Sequence, residues 1–83
     1  MTGTIYHINK QREMYSILES SGNFIVFELL GNCELSKGDT ITGTILSGGG
    51  AKLRNLTTLE NFDVSIERIN CTEFSARQGC FLG

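Results

Sequence analysis

The side chains best suited to chemistry in this 83-residue chain lie close together near its beginning. Two ring-bearing residues, Tyr6 and His7, are followed by two cations, Lys10 and Arg12, and by the flexible thioether of Met14. Rings stack on nucleobases, cations contact phosphates, and methionine adapts to apolar surfaces. We therefore expect these five residues to form a candidate contact surface for single-stranded RNA or DNA.

Two further cations, Lys52 and Arg54, alternate outward on a later short strand and would extend that surface. A simpler interpretation fits the same residues, in which the cations are solvated charges and the two rings belong to an ordinary surface. The formal net charge is −2, so the chain as a whole does not attract a polyanion. Binding of nucleic acid would then depend on a local basic patch.

Enzymatic chemistry has little support in the sequence. His7 is the only histidine, and no nucleophile or carboxylate stands at a spacing that identifies a partner for it. Glu28 is the one carboxylate that we place near His7, where a surface ion pair is the usual outcome. The run Gly48 to Gly50 lacks the lysine and the following helix of a phosphate-binding loop. We predict no enzyme and no cofactor.

Cys33, Cys71 and Cys80 form no C-x-x-C pair, and their spacing does not match a zinc site. An odd number of cysteines also disfavours a disulfide framework, so we expect reduced thiols and a cytoplasmic protein. The sequence shows neither a signal peptide nor a run of about 20 apolar residues that would span a membrane.

Short runs rich in β-branched and aromatic residues predict five or six strands. The alternation is clearest in two of them, where Ile41 shares a face with Gly43 and Phe62 with Val64. The strands are predicted at about 2–8, 13–19, 24–30, 40–46, 52–57 and 62–68. The glycines at 48–50 predict a flexible connection from Ser47, and a turn is expected near residues 59–61. This pattern indicates an all-β antiparallel sandwich or barrel, and a barrel is preferred at this length because closure removes the exposed edges of a small sheet.

The chain is predicted to be one domain, with a barrel over residues 1–71 and a tail over residues 72–83. The tail has no clear period, and its residues 72–78 allow one helical turn. We expect the tail to be poorly ordered or packed on the barrel. Met14, Leu18 and one face of the run 24–30 are apolar and outward. They form a protein interface unless the last strand and the tail cover them.

Three spaced segments resemble the cold-shock domains. They are G-T-I-x-x-x-N at 3–9, L-x-x-G-x-x-I-x-x-x-I at 35–45 and G-x-x-x-x-N-L-T at 50–57. The resemblance implies an OB fold, a five-stranded antiparallel Greek-key barrel whose second and third strands contact oligonucleotides. It covers residues 3–57, so the strand at 62–68 has no counterpart in that family.

The departures from the family bear on function. His7 stands where the family has a tryptophan, and Met14 and Ser16 stand where its second strand has two phenylalanines. Arg12 keeps the basic position, and Tyr15 replaces a glycine on the side that faces the core. On the third strand, the pattern leaves open whether residues 26 and 28 or residues 25 and 27 face outward.

Two functions therefore remain open. The first is a small OB-fold module that binds single-stranded nucleic acid weakly through its first three strands. The second is an OB-fold module without nucleic-acid binding, which serves protein interaction or homodimerisation because its stacking residues have been replaced.

Overall fold

The fold is a closed barrel of six antiparallel strands with one short helix against its outer surface. A computed structural model describes residues 1–45 and 49–82. In chain order the elements are β1 (Thr2–Asn9), β2 (Met14–Glu19), β3 (Phe24–Leu30), β4 (Thr40–Gly43), β5 (Gly49–Asn55), β6 (Glu60–Cys71) and α1 (Glu73–Phe81). The predicted fold class, an all-β antiparallel barrel, is confirmed, and the described residues form six strands, an arrangement compatible with the predicted OB-like barrel.

The strand order around the barrel is β1-β2-β3-β6-β5-β4, and β4 closes the ring by pairing with β1. Because β4 lies beside β1 rather than beside β3, the first four strands have the 4-1-2-3 order of a Greek key. β6 pairs with β3 on one side and with β5 on the other. β6, the strand that lies beyond the cold-shock resemblance, thus connects β3 to β5 within the closed ring.

The barrel interior is filled by alternate residues of every strand, as period-two burial requires. The predicted inward residues of β6, Phe62, Val64 and Ile66, are all buried. Tyr15 also faces the core as expected, and its ring stacks on Phe27 with centroids 5.5 Å apart and planes 12° apart. The buried core comprises Ile5, Tyr15, Ile17, Ile25, Phe27, Leu29, Leu35, Ile41, Leu53, Phe62, Val64 and Ile66.

The structure resolves the register of β3. Ile25 and Phe27 belong to the barrel core, so Val26 and Glu28 lie on the outer face. Val26 is nevertheless completely buried, as is most of Phe24, because α1 packs over both. Burial on two sides explains why this strand reads as a continuous apolar run.

Gly43 lies where β4 bends toward β5. A Cβ atom at this position would stand 2.6 Å from Cδ2 of Leu53, which is closer than the packing permits. This agrees with the predicted need for glycine on the inward face of a bent strand. In the predicted connection 47–50, Ser47 and Gly48 lie outside the described residues, as does Leu46 at the end of the predicted fourth strand.

The predicted boundaries of the last two strands are wrong by several residues. β5 begins at Gly49 and ends at Asn55, whereas the sequence predicted a strand over 52–57. The turn follows at residues 56–59, so Glu60 and Asn61 belong to β6 rather than to the predicted turn. β5 begins with two glycines, Gly49 and Gly50. The sequence pattern did not predict this start, because strand propensity depends on side chains and glycine has none.

The tail forms α1, which is longer than the single predicted turn. Thr72 caps its first turn, since Oγ1 of Thr72 accepts a hydrogen bond from the Ser75 N–H at 3.1 Å. The helix continues through Gly79 to Phe81 and packs against β1, β2, β3 and β6. Within the described ranges, the structure holds no helix with the length and apolar character needed to cross a membrane.

Candidate functional site

α1 covers the outer face of β1, β2 and β3, which is the surface predicted to contact nucleic acid. Phe24, Val26, Ala76 and Cys80 are buried in a second cluster between the helix and the barrel. Met14, Leu18 and Cys71 are half-buried against this cluster. The apolar outward residues of β2 and β3 are thus covered by the tail, which was one of the two predicted outcomes.

A bulge in β1 positions Tyr6 and His7. Ile5 pairs with Ile17 and Ile8 pairs with Tyr15, so Tyr6 and His7 together stand opposite Ser16 alone. Ile8 consequently returns to the inner face and packs against the barrel core. Without the extra residue, strict alternation would turn His7 inward, so the bulge is what aims its imidazole at α1.

His7 links the barrel to the helix through two hydrogen bonds. Its Nδ1 lies 2.7 Å from Oγ of Ser16, and its Nε2 lies 2.9 Å from Oε2 of Glu73. Ser16 Oγ also accepts a hydrogen bond from the His7 backbone N–H at 2.9 Å. The Ser16 O–H can therefore donate to Nδ1 while Nε2–H donates to Glu73. The partner of His7 is Glu73, not Glu28.

Serine, histidine and carboxylate in a hydrogen-bonded row have the composition of a hydrolytic triad. The side chain of Ser16, however, is 0% exposed, because α1 packs over this position of β2. A nucleophile must touch the atom that it attacks, and no substrate reaches a hydroxyl in this position. The row therefore fastens α1 to the barrel.

Two more polar contacts hold the helix. The Asn9 side-chain amide donates to the Cys80 carbonyl at 2.9 Å. Arg68 donates to the Ser75 carbonyl at 3.2 Å and to Oγ of Ser75 at 3.1 Å. Burial raises the pKa of the Cys80 thiol to about 11, so this thiol stays protonated and unreactive at neutral pH. All three cysteines are free thiols.

The predicted cations do not form one basic surface. Lys10 and Arg12 lie in the turn between β1 and β2, and Lys10 pairs with Glu34 at 3.4 Å. Lys52 and Arg54 lie on β5, which β4 separates from β1 in the ring. They cannot extend a surface centred on β1 to β3.

The cations on β5 already have partners on the neighbouring strand. Lys52 is 3.8 Å from Asp63, and Arg54 donates to Oδ1 of Asn61 at 3.0 Å. Both partners lie directly opposite on β6 in the strand register. These cross-strand pairs stabilise the sheet. The Lys52–Asp63 pair also neutralises part of the charge that phosphates would need.

The rings of the predicted site are packed edge to face. Tyr6 contacts the ring of His7 at 4.8 Å and that of Phe24 at 5.1 Å, with interplanar angles of 76° and 83°. Tyr6 is 42% exposed, so its ring still reaches solvent, while the side chain of Met14 packs under the helix. The structure brings Tyr6 and His7 together and places Lys52 and Arg54 away from them, on β5.

Sequence reasoning missed the exposed apolar residues of α1. Phe74, Phe81 and Leu82 are 65%, 45% and 78% exposed. Phe74 and Phe81 are seven residues apart, so they lie on the same side of the helix, away from its buried residues Ala76, Gly79 and Cys80. The Phe81 ring also meets the His7 ring edge to face, with centroids 6.3 Å apart, so only part of it is exposed. The seven-residue spacing of Phe74 and Phe81 was visible in the sequence. It indicates a shared face only if the tail is helical as far as Phe81, and the sequence pattern predicted a single helical turn.

The chain was compared with protein-family models, curated proteins and solved structures, and no match was found in any of them. Its resemblance to cold-shock domains therefore remains a prediction from the sequence.

Proposed function

We propose that this chain is a protein-interaction module that associates with a second copy of itself through the outer face of α1. The observation that carries the proposal is the pair of exposed aromatic residues, Phe74 and Phe81, on one face of a helix that is already firmly docked. Exposed aromatic residues that lie together are typical of protein contact surfaces.

The helix turns its small residues inward and its large ones outward. Its buried residues are Ala76, Gly79 and Cys80. A Cβ atom on Gly79 would stand 3.2 Å from Nε of Arg68 and 3.3 Å from Cγ2 of Val26, so the helix lies very close to the barrel. Docking therefore does not use Phe74 and leaves Phe81 only partly covered. Both rings remain available to a partner.

The spacing of the two aromatics suits a symmetric partner. The point midway between them falls between Arg77 and Gln78, close to the centre of the helix at Arg77. An antiparallel second copy related by a twofold axis places Phe74 of each chain against Phe81 of the other. Leu82 adds an apolar side chain at the end of the same surface.

The contact is small, which sets the expected strength. A helix of nine residues is about 14 Å long. Two such faces, with Leu82 and the adjacent Tyr6, bury an area near the low end of specific interfaces. We therefore expect association that depends on concentration, with a dissociation constant on the order of 10–100 µM.

Nucleic-acid binding has weaker support. The helix covers the face of β1 to β3, the predicted cations are divided between two parts of the barrel, and the net charge is −2. A titration with labelled pyrimidine and mixed oligonucleotides at low salt tests nucleic-acid binding directly. We expect no binding at tens of micromolar, roughly the range of weak non-specific contacts.

Light scattering after size-exclusion chromatography tests the proposal over loading concentrations from about 10 µM to about 1 mM. The expected mass rises from that of the 9.1 kDa monomer toward twice that value. Phe74→Gln and Phe81→Gln should each weaken association by about thirtyfold, the effect of losing roughly 2 kcal/mol at an interface hot spot.

Leu56→Gln provides a matched control. Leu56 is 44% exposed, close to the value for Phe81, and it lies in the turn after β5. This variant should associate as the parent chain does. A monomeric mass at every concentration, or equal weakening by Leu56→Gln, would refute the proposal.

A further inference from the structure

A polar cavity of about 240 Å³ opens at the end of the barrel beside the turn between β1 and β2. Lys10 and Glu13 line it from that turn, and residues 31–34 line it from the loop that follows β3. Tyr15 lines it from the barrel side. This cavity is separate from the outer face of α1, so it bears on neither the helix nor the proposed association.

The Tyr15 hydroxyl is the unusual feature of this cavity. Tyr15 is only 2% exposed, and its ring is fixed by stacking on Phe27. Its hydroxyl makes no hydrogen bond to any residue that the structure describes, although each fully enclosed side-chain nitrogen or oxygen in those residues has a partner. The hydroxyl therefore reaches the cavity, where a bound group can meet its need for a partner.

The groups around the hydroxyl are mostly acidic. Burial raises the pKa of Tyr15, and the nearby Glu13, Glu34 and Cys33 raise it further. The phenol accordingly stays neutral and can accept a hydrogen bond as well as donate one. Glu13 and Glu34 line the same cavity as Tyr15, so the hydroxyl end of the Tyr15 ring lies toward these carboxylates.

The cavity has an excess of negative charge. Lys10 forms an ion pair with Glu34, with 3.4 Å between Nζ and Oε2. The Glu13 carboxylate, which lines the cavity together with Tyr15, forms no ion pair within the described parts of the chain, so one acidic acceptor of the cavity has no cationic partner there. A cation with N–H donors matches both groups.

We propose that this cavity binds a small organic cation that carries an ammonium or guanidinium head group. The head group donates to the Glu13 carboxylate and to the Tyr15 oxygen, and a short alkyl chain extends outward. The volume is below the 300–1,000 Å³ that is typical of pockets for drug-sized ligands, so a ligand of few heavy atoms fits. Nothing in this proposal depends on self-association.

Amide NMR of the full chain tests the proposal with n-butylammonium, n-butylguanidinium and, as a neutral control, n-butanol. Either cation should shift the signals of residues 31–34 and of Tyr15, with a dissociation constant on the order of 0.1–1 mM. The two cations compared at equal concentration show which head group is preferred. Absence of shifts up to about 10 mM, or equal shifts with n-butanol, would overturn the proposal.

Two variants locate the site. Tyr15→Phe keeps the stacked ring and removes the hydroxyl, and it should weaken binding about fivefold. Glu13→Gln should weaken binding about tenfold and reduce its dependence on salt. Glu67→Gln is the control, because Glu67 is exposed on β6 and does not line the cavity. Unchanged affinity in both site variants, with native amide spectra, would place the cation elsewhere and refute the site.

Discussion

The Ser16 hydroxyl has a structural role, because it holds His7 in place beneath α1. Its hydroxyl is completely buried, and it satisfies both the backbone N–H and the ring Nδ1 of His7. A buried donor that loses its acceptor costs about 1–3 kcal/mol. The small side chain also lets α1 approach β2 closely, whereas the phenylalanine that the cold-shock resemblance implies would fill the space that the helix occupies.

We predict that Ser16→Ala lowers the free energy of unfolding by about 1–3 kcal/mol, because the His7 N–H is left without an acceptor. Urea denaturation measures this change. Ser65→Ala is the matched control, since the Ser65 hydroxyl bonds Glu67 at the exposed surface of β6. The control should change stability by less than about 0.5 kcal/mol. Equal stability of the two variants would contradict the role given to Ser16.

Gly43 marks a close approach between β4 and β5. We predict that Gly43→Ala destabilises the barrel by about 1–3 kcal/mol, because the new methyl group collides with Leu53. Gly50→Ala on β5 is the control, since a Cβ atom there meets nothing within 4 Å. Thermal denaturation of both variants tests the difference. A Gly43→Ala variant as stable as Gly50→Ala would show that β4 can move away from β5.

Single residues were predictable where the signal is local. Gly43 and the alternating Phe62, Val64 and Ile66 follow from the period of a strand, which needs only neighbouring positions. The partner of His7 was not predictable, because Glu73 is 66 residues away and belongs to another element. A bulge moved His7 within its strand, and a bulge depends on pairing that a sequence pattern does not show.

At the scale of elements, α1 explains most of the difference between the predicted and the observed site. It was predicted only as one turn because Gly79 costs about 1 kcal/mol relative to alanine within a helix. Its inward face also consists of Ala76, Gly79 and Cys80, which give no strong apolar periodicity. The helix is stable because its face packs on the barrel, a contribution that local sequence does not contain.

The docking of α1 should depend on pH through Glu73. Hydrogen bonds from Arg77 and from His7 lower the pKa of Glu73 below its ordinary value of 4.5. A carboxylate with a lowered pKa in the folded state stabilises that state above its unfolded pKa, and the stabilisation disappears as pH falls through the folded pKa. We therefore predict that the wild-type chain is more stable than Glu73→Gln at about pH 7, and that the difference shrinks at about pH 3.

Urea denaturation of both proteins at the two pH values measures this difference. Glu67→Gln, on the exposed surface of β6, corrects for the loss of one negative charge from the chain. A difference between wild type and Glu73→Gln that stays constant from about pH 7 to about pH 3 would rule out the ionised carboxylate as the contributing group.

At the scale of the whole molecule, the barrel was predictable, and the covering of β1 to β3 by α1 was not. Short alternating runs, glycine turns and the absence of a long helical period favour a closed antiparallel barrel at this chain length. The predicted site assumed that the outer face of the first three strands is open to solvent. That assumption failed because the last nine-residue element folds back over it. The surface on this side of the barrel is therefore the outer face of α1, where Phe74 and Phe81 are exposed.

The central claim is that the exposed face of α1, and not the outer face of β1 to β3, forms the contact surface. Amide NMR spectra recorded from about 20 µM to about 1 mM test it most directly. We predict shifts that depend on concentration and are confined to Phe74–Leu82 and Tyr6. In Phe81→Gln the same shifts should require about thirtyfold higher concentrations. Spectra that do not change with concentration, together with shifts in β2 and β3 when an oligonucleotide is added, would contradict the central claim.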